Sequence, residues 1–351
     1  MQDIIKKIVW LVLYNIGFWK HRESNGLLVL TYHRISDELD IQDPLKVSME
    51  NFEKQILFLK ENYSIISGEQ LADIITNKRL FPPKACLITF DDGWRDNYTH
   101  AFPILKRYRV PAIIFISTDY IGTDKMFWHE KLKKILIKMP DSVDRQNLKK
   151  VLDQWPPDVA KSIFDILKSL LSRRYPIIND LIIFLKGVDP QKNDELNFKL
   201  ETLFHNDDDN SPVMLSWEQV KEMSQSNICF GSHTKSHAIL TQISKNKLPE
   251  ELGGSKKGIE DRLGKPVYFL SYPNGNYNQV IIDAAKDVGY LASFTCLPGV
   301  SVSCEERFEM KRKHIREDYA LGLNNKFSER FFRVELSGIR GYLKSWKKEK
   351  Y

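Results

Sequence analysis

Four short apolar runs break off abruptly into polar or glycine-bearing residues, and this pattern restricts the folds open to the chain more than any other feature. Residues 27–31 run into Tyr32 and His33, residues 86–90 into Asp91, Asp92 and Gly93, residues 228–230 into Gly231, Ser232 and His233, and residues 267–270 into Ser271, Tyr272 and Pro273. Each reads as a buried strand leading into a loop, and residues 112–116 form a further apolar run. Amphipathic stretches of helical period lie between them, at 49–61, 68–76 and 280–288. Strands alternating with helices imply a parallel sheet. The reactive residues all fall just past strand carboxyl ends, where barrel active sites are built. No glycine-rich dinucleotide or phosphate-loop spacing points to an open nucleotide-binding sheet. The expected class is therefore α/β, a distorted (β/α) barrel.

With 351 residues, 42% of them hydrophobic, the chain can bury a large core. The strand signals stop between 124 and 212, where long Lys-, Leu- and Ile-rich stretches read as a helical insertion that ends in a polar patch containing Asp207, Asp208 and Asp209. Those three carboxylates lack the oxygen-ligand spacing of a calcium loop and read as a solvated rim. The expected organisation is an N-terminal amphipathic segment (1–25), a barrel (26–123 and 213–320), the insertion (124–212) and a basic C-terminal segment (321–351).

The net charge is +6, with Lys344, Lys347, Lys348 and Lys350 crowded at the C-terminus. A solvated tail accounts for this cluster, and so does attraction to a phosphate-bearing or membrane surface. No helix-turn-helix, zinc-finger or RNA-binding pattern accompanies the charge, so nucleic acid is not an expected partner. The four cysteines (Cys86, Cys229, Cys296, Cys304) form no C-x-x-C pair, and a disulfide framework is not expected. Residues 8–19 are largely apolar and flanked by Lys6, Lys7, Lys20 and Arg22. A bilayer crossing takes about 20 apolar residues, and no small-residue cleavage site follows. An amphipathic helix lying on a membrane or packed on the domain fits better. The expected location is cytoplasmic, free or peripheral on the inner membrane face, with an exported form as the alternative.

His233 and His237 stand four residues apart, a spacing that brings both rings to one side of a helical turn. The adjacent carboxylates of Asp91 and Asp92 repel one another at a strand end unless a cation or a proton intervenes. One carboxylate with two imidazoles makes the three-ligand set of a catalytic metal site that keeps positions open for water and substrate. The second carboxylate is then free to act as a base, and Gly93 permits the tight turn beside the ion.

Thr89-Phe90-Asp91-Asp92-Gly93 and Ser232-His233-Thr234-Lys235-Ser236-His237 resemble the first two motifs of the polysaccharide deacetylases, the NodB-homology or carbohydrate esterase family 4 enzymes. Residues 270–277 look like the third motif, and Leu30-Thr31-Tyr32-His33 resembles the N-terminal histidine motif of the branch that includes poly-N-acetylglucosamine deacetylases. The resemblance implies that Asp91 is the general base, that Asp92, His233 and His237 bind the metal, and that His33 is the general acid. It also implies a backbone N–H at Asn274, aimed by the turn of Pro273 and Gly275 after Tyr272, as donor to the tetrahedral oxyanion. A plain turn between strand and helix is the simpler account of the same residues.

The third motif lacks the family's usual arginine. That role passes to Arg312, in a stretch resembling the branch's Leu-Pro-Arg-x-x-Ile, or else Arg312 is an ordinary surface residue. Trp94, next to Gly93, is expected near the substrate, and Trp128 either stacks on a sugar face or packs in a core; His129 and His314 have no assigned role. The implied reaction is metal-dependent removal of N-acetyl groups from amino sugars of a surface polysaccharide or its lipid-linked precursor. Zn²⁺ is the expected metal, with Co²⁺, Mn²⁺ or Ni²⁺ compatible with the same ligands. Deformylation or O-acetyl ester hydrolysis is the alternative chemistry, and a catalytically dead glycan-binding protein the alternative class.

Overall fold

The computed structural model describes residues 26–37, 43–139, 145–169, 174–204 and 213–338, together with Val9, Leu11 and Val12. The rest of the N-terminal amphipathic segment, the rim of Asp207, Asp208 and Asp209, and the C-terminal lysines lie outside the described residues. The chain divides into two compact units, Met1–Thr123 with Pro212–Tyr351, and Asp124–Ser211.

The first unit carries strands β1 (Leu27–Tyr32), β2 (Arg34–Ser36), β3 (Lys46–Ser48), β4 (Ser64–Ile65), β5 (Ala85–Phe90), β6 (Ala112–Ile116), β7 (Ile228–Ser232), β8 (Phe269–Ser271), β9 (Ala292–Phe294) and β10 (Lys313–His314). The main sheet runs β10-β1-β5-β6-β7-β8-β9, with β4 beside β5, and all its ladders are parallel. The sheet curls. Met310, just before β10, bridges Phe294 at the far edge, although no continuous ladder closes the ring. This is the expected α/β architecture, a distorted barrel. Around it lie α1 (Met49–Asn62), α2 (Gly68–Thr76) and α3 (Phe102–Tyr108). α1 begins at Ser48, whose side chain accepts from the Asn51 amide, and α2 at a reciprocal capping box between Ser67 and Gln70.

Both faces of the sheet are buried, which is why its central strands read as continuous apolar runs rather than as alternation. Leu27, Val29, Ala85, Leu87, Ile113, Phe115, Cys229 and Phe269 share one apolar cluster with residues of α2. Leu28, Leu30, Cys86, Ile88, Ile114, Phe230 and Leu270 face a second cluster with α1 and α3. Side chains alternate with period two along a strand. The parity of the first cluster, carried just past the strand ends, therefore delivers His33 from β1, Asp91 from β5, His233 from β7 and, at the last residue of β8, Ser271. Gly231 shares that parity, and a Cβ on it would stand 2.5 Å from the Phe115 ring, so the close approach there requires glycine.

The second unit is helical, with α4 (Trp128–Lys138), α5 (Arg145–Val151), α6 (Pro157–Ser169), α7 (Arg174–Leu185) and α8 (Pro190–Phe204). Leu132, Ile135, Leu136, Leu181, Leu185, Leu196 and Leu200 belong to a core of its own. The first unit resumes with α9 (Trp217–Ser224), α10 (Ser255–Leu263), α11 (Gln279–Asp287) and α12 (Glu329–Leu336). The last of these lies within residues 321–351 and packs on the barrel unit. Phe331, Phe332, Val334 and Leu336 are buried, and the Phe332 ring meets Phe58 of α1 edge-on at 5.4 Å. Among the described residues no helix is long and apolar enough to cross a membrane.

Candidate active site

Asp92, His233 and His237 come together, each offering one ligand atom within 4.8 Å of the others. The Asp92 Oδ1 lies 3.4 Å from His233 Nε2 and 3.3 Å from His237 Nε2. Each buried ligand is oriented by a partner behind it. The Ser271 carbonyl, 2.8 Å from His233 Nδ1, only accepts, so that nitrogen carries the proton and Nε2 keeps its lone pair for a metal. The Trp94 indole N–H donates to Asp92 Oδ2 at 2.9 Å, leaving Oδ1 towards the histidines. One carboxylate oxygen converging with two imidazole nitrogens fits a divalent transition metal such as zinc.

The histidine pair is not on a helical turn. Residues 233–239 form an irregular loop in which Thr234 (φ 66°) and His237 (φ 59°) adopt left-handed conformations, as does Asp92 (φ 79°). Non-glycine residues enter that region at an energetic cost and remain there when their surroundings hold them. Here the clamp is Glu251. Its carboxylate accepts from the Lys235 amide (3.0 Å), the Ser236 amide (2.9 Å) and the Ser236 hydroxyl (2.6 Å). The Thr234 amide donates to Ser232 Oγ, and the Ser117 hydroxyl to the His233 carbonyl.

Asp91 is buried beside this set and is held by Arg312, which is also buried. The guanidinium spans both carboxylate oxygens, Nη1 to Oδ1 at 2.8 Å and Nη2 to Oδ2 at 2.7 Å. Arg312 is fixed in turn by the Thr295 carbonyl (2.9 Å from Nε) and by Ser271 Oγ, which also donates to Asp91. Arg312 is thus a buried partner of Asp91 and not a surface residue. Burial by itself raises the Asp91 carboxyl, but the charges of Arg312 and His233 and the Arg312 hydrogen bonds outweigh it and hold the group down to about 2. Burial raises Asp92, but the two histidines that face its Oδ1 outweigh it and hold the carboxyl well below the usual carboxylate range. His233 is pushed up despite burial by the charges of Asp91 and Asp92. Two buried carboxylates against one buried guanidinium leave a negative balance, which a bound cation neutralises.

His33 leaves β1 with its Nδ1 buried and without a hydrogen-bond partner. Asn274 sits exposed on the Pro273–Gly275 turn with φ 58°. Three other expected contacts take different places. Tyr272 is wholly buried, with its hydroxyl donating to the Phe308 carbonyl, and so shapes the turn from beneath. Trp94 is 1% exposed and supports Asp92 rather than presenting a face to a sugar. Trp128 is half-buried on the core of the helical unit, its carbonyl accepting from Asn197 at 2.7 Å.

A model of the polysaccharide deacetylase family matches residues 78–147 and 184–293. The chain belongs to the polysaccharide deacetylase family. YxkH of Bacillus subtilis (strain 168) is 23% identical over 297 residues, covering 84% of this chain and 74% of that one. The poly-beta-1,6-N-acetyl-D-glucosamine N-deacetylase of Escherichia coli (strain K12) is 33% identical over 96 residues, 27% of this chain and 14% of that enzyme. The chain therefore spans a small part of the E. coli enzyme's length. The Streptococcus pyogenes deacetylase PplD, solved in complex with acetate, shares the fold with a TM-score of 0.55 and 20% identity, over 84% of this chain and 95% of that chain.

Several supporting residues of this family member carry little sequence signal of their role. Glu251, Thr295 and Ser271 act through geometry that no local spacing announces, and Trp94 has its role reversed by the direction of its N–H. His314, which has no role assigned from sequence, has a buried Nε2 without a hydrogen-bond partner.

Proposed function

We propose that the protein is a zinc-dependent hydrolase that removes N-acetyl groups from amino sugars of a surface polysaccharide or its lipid-linked precursor. The observation that carries this reading is the division of labour between the two adjacent carboxylates. Asp92 faces the two imidazoles, whereas Asp91 is turned away to Arg312 and held ionised. Asp92, His233 and His237 would hold the metal, which when bound would supply Lewis-acid chemistry at the acyl carbonyl and water. Asp91, already an anion, takes a proton from the attacking water. The carbon–nitrogen bond breaks as the departing nitrogen takes a proton from His33, giving acetate and a free amine. The Asn274 backbone N–H, on its rigid turn, donates to the oxygen that gains charge. The N-acetylglucosamine deacetylase name of the E. coli relative supports an N-acetyl amino sugar over a formamide or an O-acetyl ester.

The test is acetate and formate release from a panel of N-acetylated, O-acetylated and N-formylated sugars, with chelation and metal add-back. We expect acetate from N-acetylated amino sugars, lost on chelation and restored by Zn²⁺. Asp92→Ala and His237→Ala should lose both bound metal and turnover. Variants that keep metal content and deacetylation would overturn the metal assignment, and formate or ester hydrolysis alone would overturn the substrate class.

A further inference from the structure

His314 follows two residues after Arg312, on β10 beside β1, and the register pairs it with Thr31. Its ring lies 4.9 Å from that of His33, tilted by 53°. Each ring has a buried nitrogen with no hydrogen-bond partner, Nδ1 on His33 and Nε2 on His314. Buried polar atoms are nearly always paired, so two orphans on adjoining rings call for a common explanation.

We propose that His314 is a positioning residue for His33, its Nε2 lone pair accepting from His33 Nδ1–H through one bridging water, so that His33 Nε2 is the nitrogen presented to the substrate. This rests on His33 being the acid of the proposed reaction. An imidazolium that gives up its Nε2 proton must keep the one on Nδ1, and an acceptor at Nδ1 selects that tautomer and aims the ring. Such an acceptor has to stay neutral, since a second cation would repel His33. Burial, then the charges of His33, Arg316 and Arg312 against the opposing pull of Asp91, lowers His314 to about 3, which keeps it neutral. Asp91 and Asp92 are the charges that act on His33 from β5 and the loop after it. A carboxylate partner would add charge beside Asp91; a neutral imidazole aims His33 without disturbing the Asp91–Arg312 pair.

The experiment uses the full-length, zinc-loaded protein with ¹⁵N-labelled histidine, with the His33 signals assigned by their loss in His33→Gln. Imidazole ¹⁵N shifts at alkaline pH report the tautomer whether or not a substrate has been found, so this readout stands apart from the proposed activity. Wild type should show His33 as the Nδ1–H form. His314→Phe keeps the ring volume but removes the acceptor. It should shift His33 towards Nε2–H and lower kcat about tenfold, the scale of one lost hydrogen bond to an acid, with KM and zinc content unchanged. His314→Gln, which restores an acceptor oxygen, should recover the tautomer and most of kcat. An unchanged His33 tautomer and kcat in zinc-loaded His314→Phe would overturn the proposal. Should that variant fail to fold, His314→Gln decides: retention of the Nδ1–H form supports it and loss of that form refutes it.

Discussion

Removing Arg312 tests the electrostatic core of the site. Its fork spans Asp91 at 2.7 and 2.8 Å, and the two side chains are 2% and 4% exposed, so water screens the pair little. The lowering of the Asp91 carboxyl from 3.8 to about 2 corresponds to roughly 2 kcal/mol. Arg312→Ala also leaves a buried carboxylate without its partner, and breaking such a pair costs about 3–5 kcal/mol. That is a large share of the roughly 5–15 kcal/mol by which domains are stable. Because the folded-state value is depressed, the contribution is complete above 3.8 and is lost as pH falls towards 2. Urea unfolding of wild type and variant should therefore differ by about 3–5 kcal/mol at pH 7, and the gap should narrow below about pH 4. With the guanidinium gone, burial raises Asp91, so the acid limb of kcat/KM should move to higher pH. Arg312→Lys keeps the charge without the fork and should lie between the two. Equal stability at pH 7 and an unmoved acid limb in Arg312→Ala would refute the reasoning.

Two further outcomes probe the supports of the site. Trp94→Phe removes the N–H that holds Asp92 Oδ2 at 2.9 Å, and should weaken zinc binding about 10–100-fold in chelator competition; an unchanged dissociation constant would show that the indole does not orient the ligand. Gly231→Ala puts a Cβ 2.5 Å from the Phe115 ring and should lower stability by about 1–3 kcal/mol in thermal melts. Phe115→Leu should relieve part of that loss, and a full-stability Gly231→Ala would mean that the ring gives way freely.

The central strands were legible because burial on both faces makes them continuous apolar runs, and the reactive residues because each stands where such a run stops. Strands β2, β3, β4, β9 and β10 were not, since each spans only two or three residues and lacks a longer apolar run to mark it off from loop. The C-terminal helix was hidden for another reason. Phe331, Phe332 and Leu336 lie among charged residues, and only their docking beside α1 marks them as core.

At the site, residue types and spacing by themselves determined that two carboxylates and two imidazoles would gather at one end of a parallel sheet, because the apolar runs leading to them stop at strand carboxyl ends. His33 joined them through the resemblance of Leu30-Thr31-Tyr32-His33 to a family motif, and the parity of β1 then delivers it to the same face as Asp91 and His233. Tertiary structure alone decided the rest. It turned Asp92 towards the histidines and Asp91 towards Arg312, which lies far along the chain and carries no local mark of being buried. It replaced the expected helical turn of His233 and His237 with a left-handed loop held by Glu251, and it placed Trp94 beneath the ligands. These are matters of hydrogen-bond direction and burial between residues distant in sequence, which local spacing does not encode.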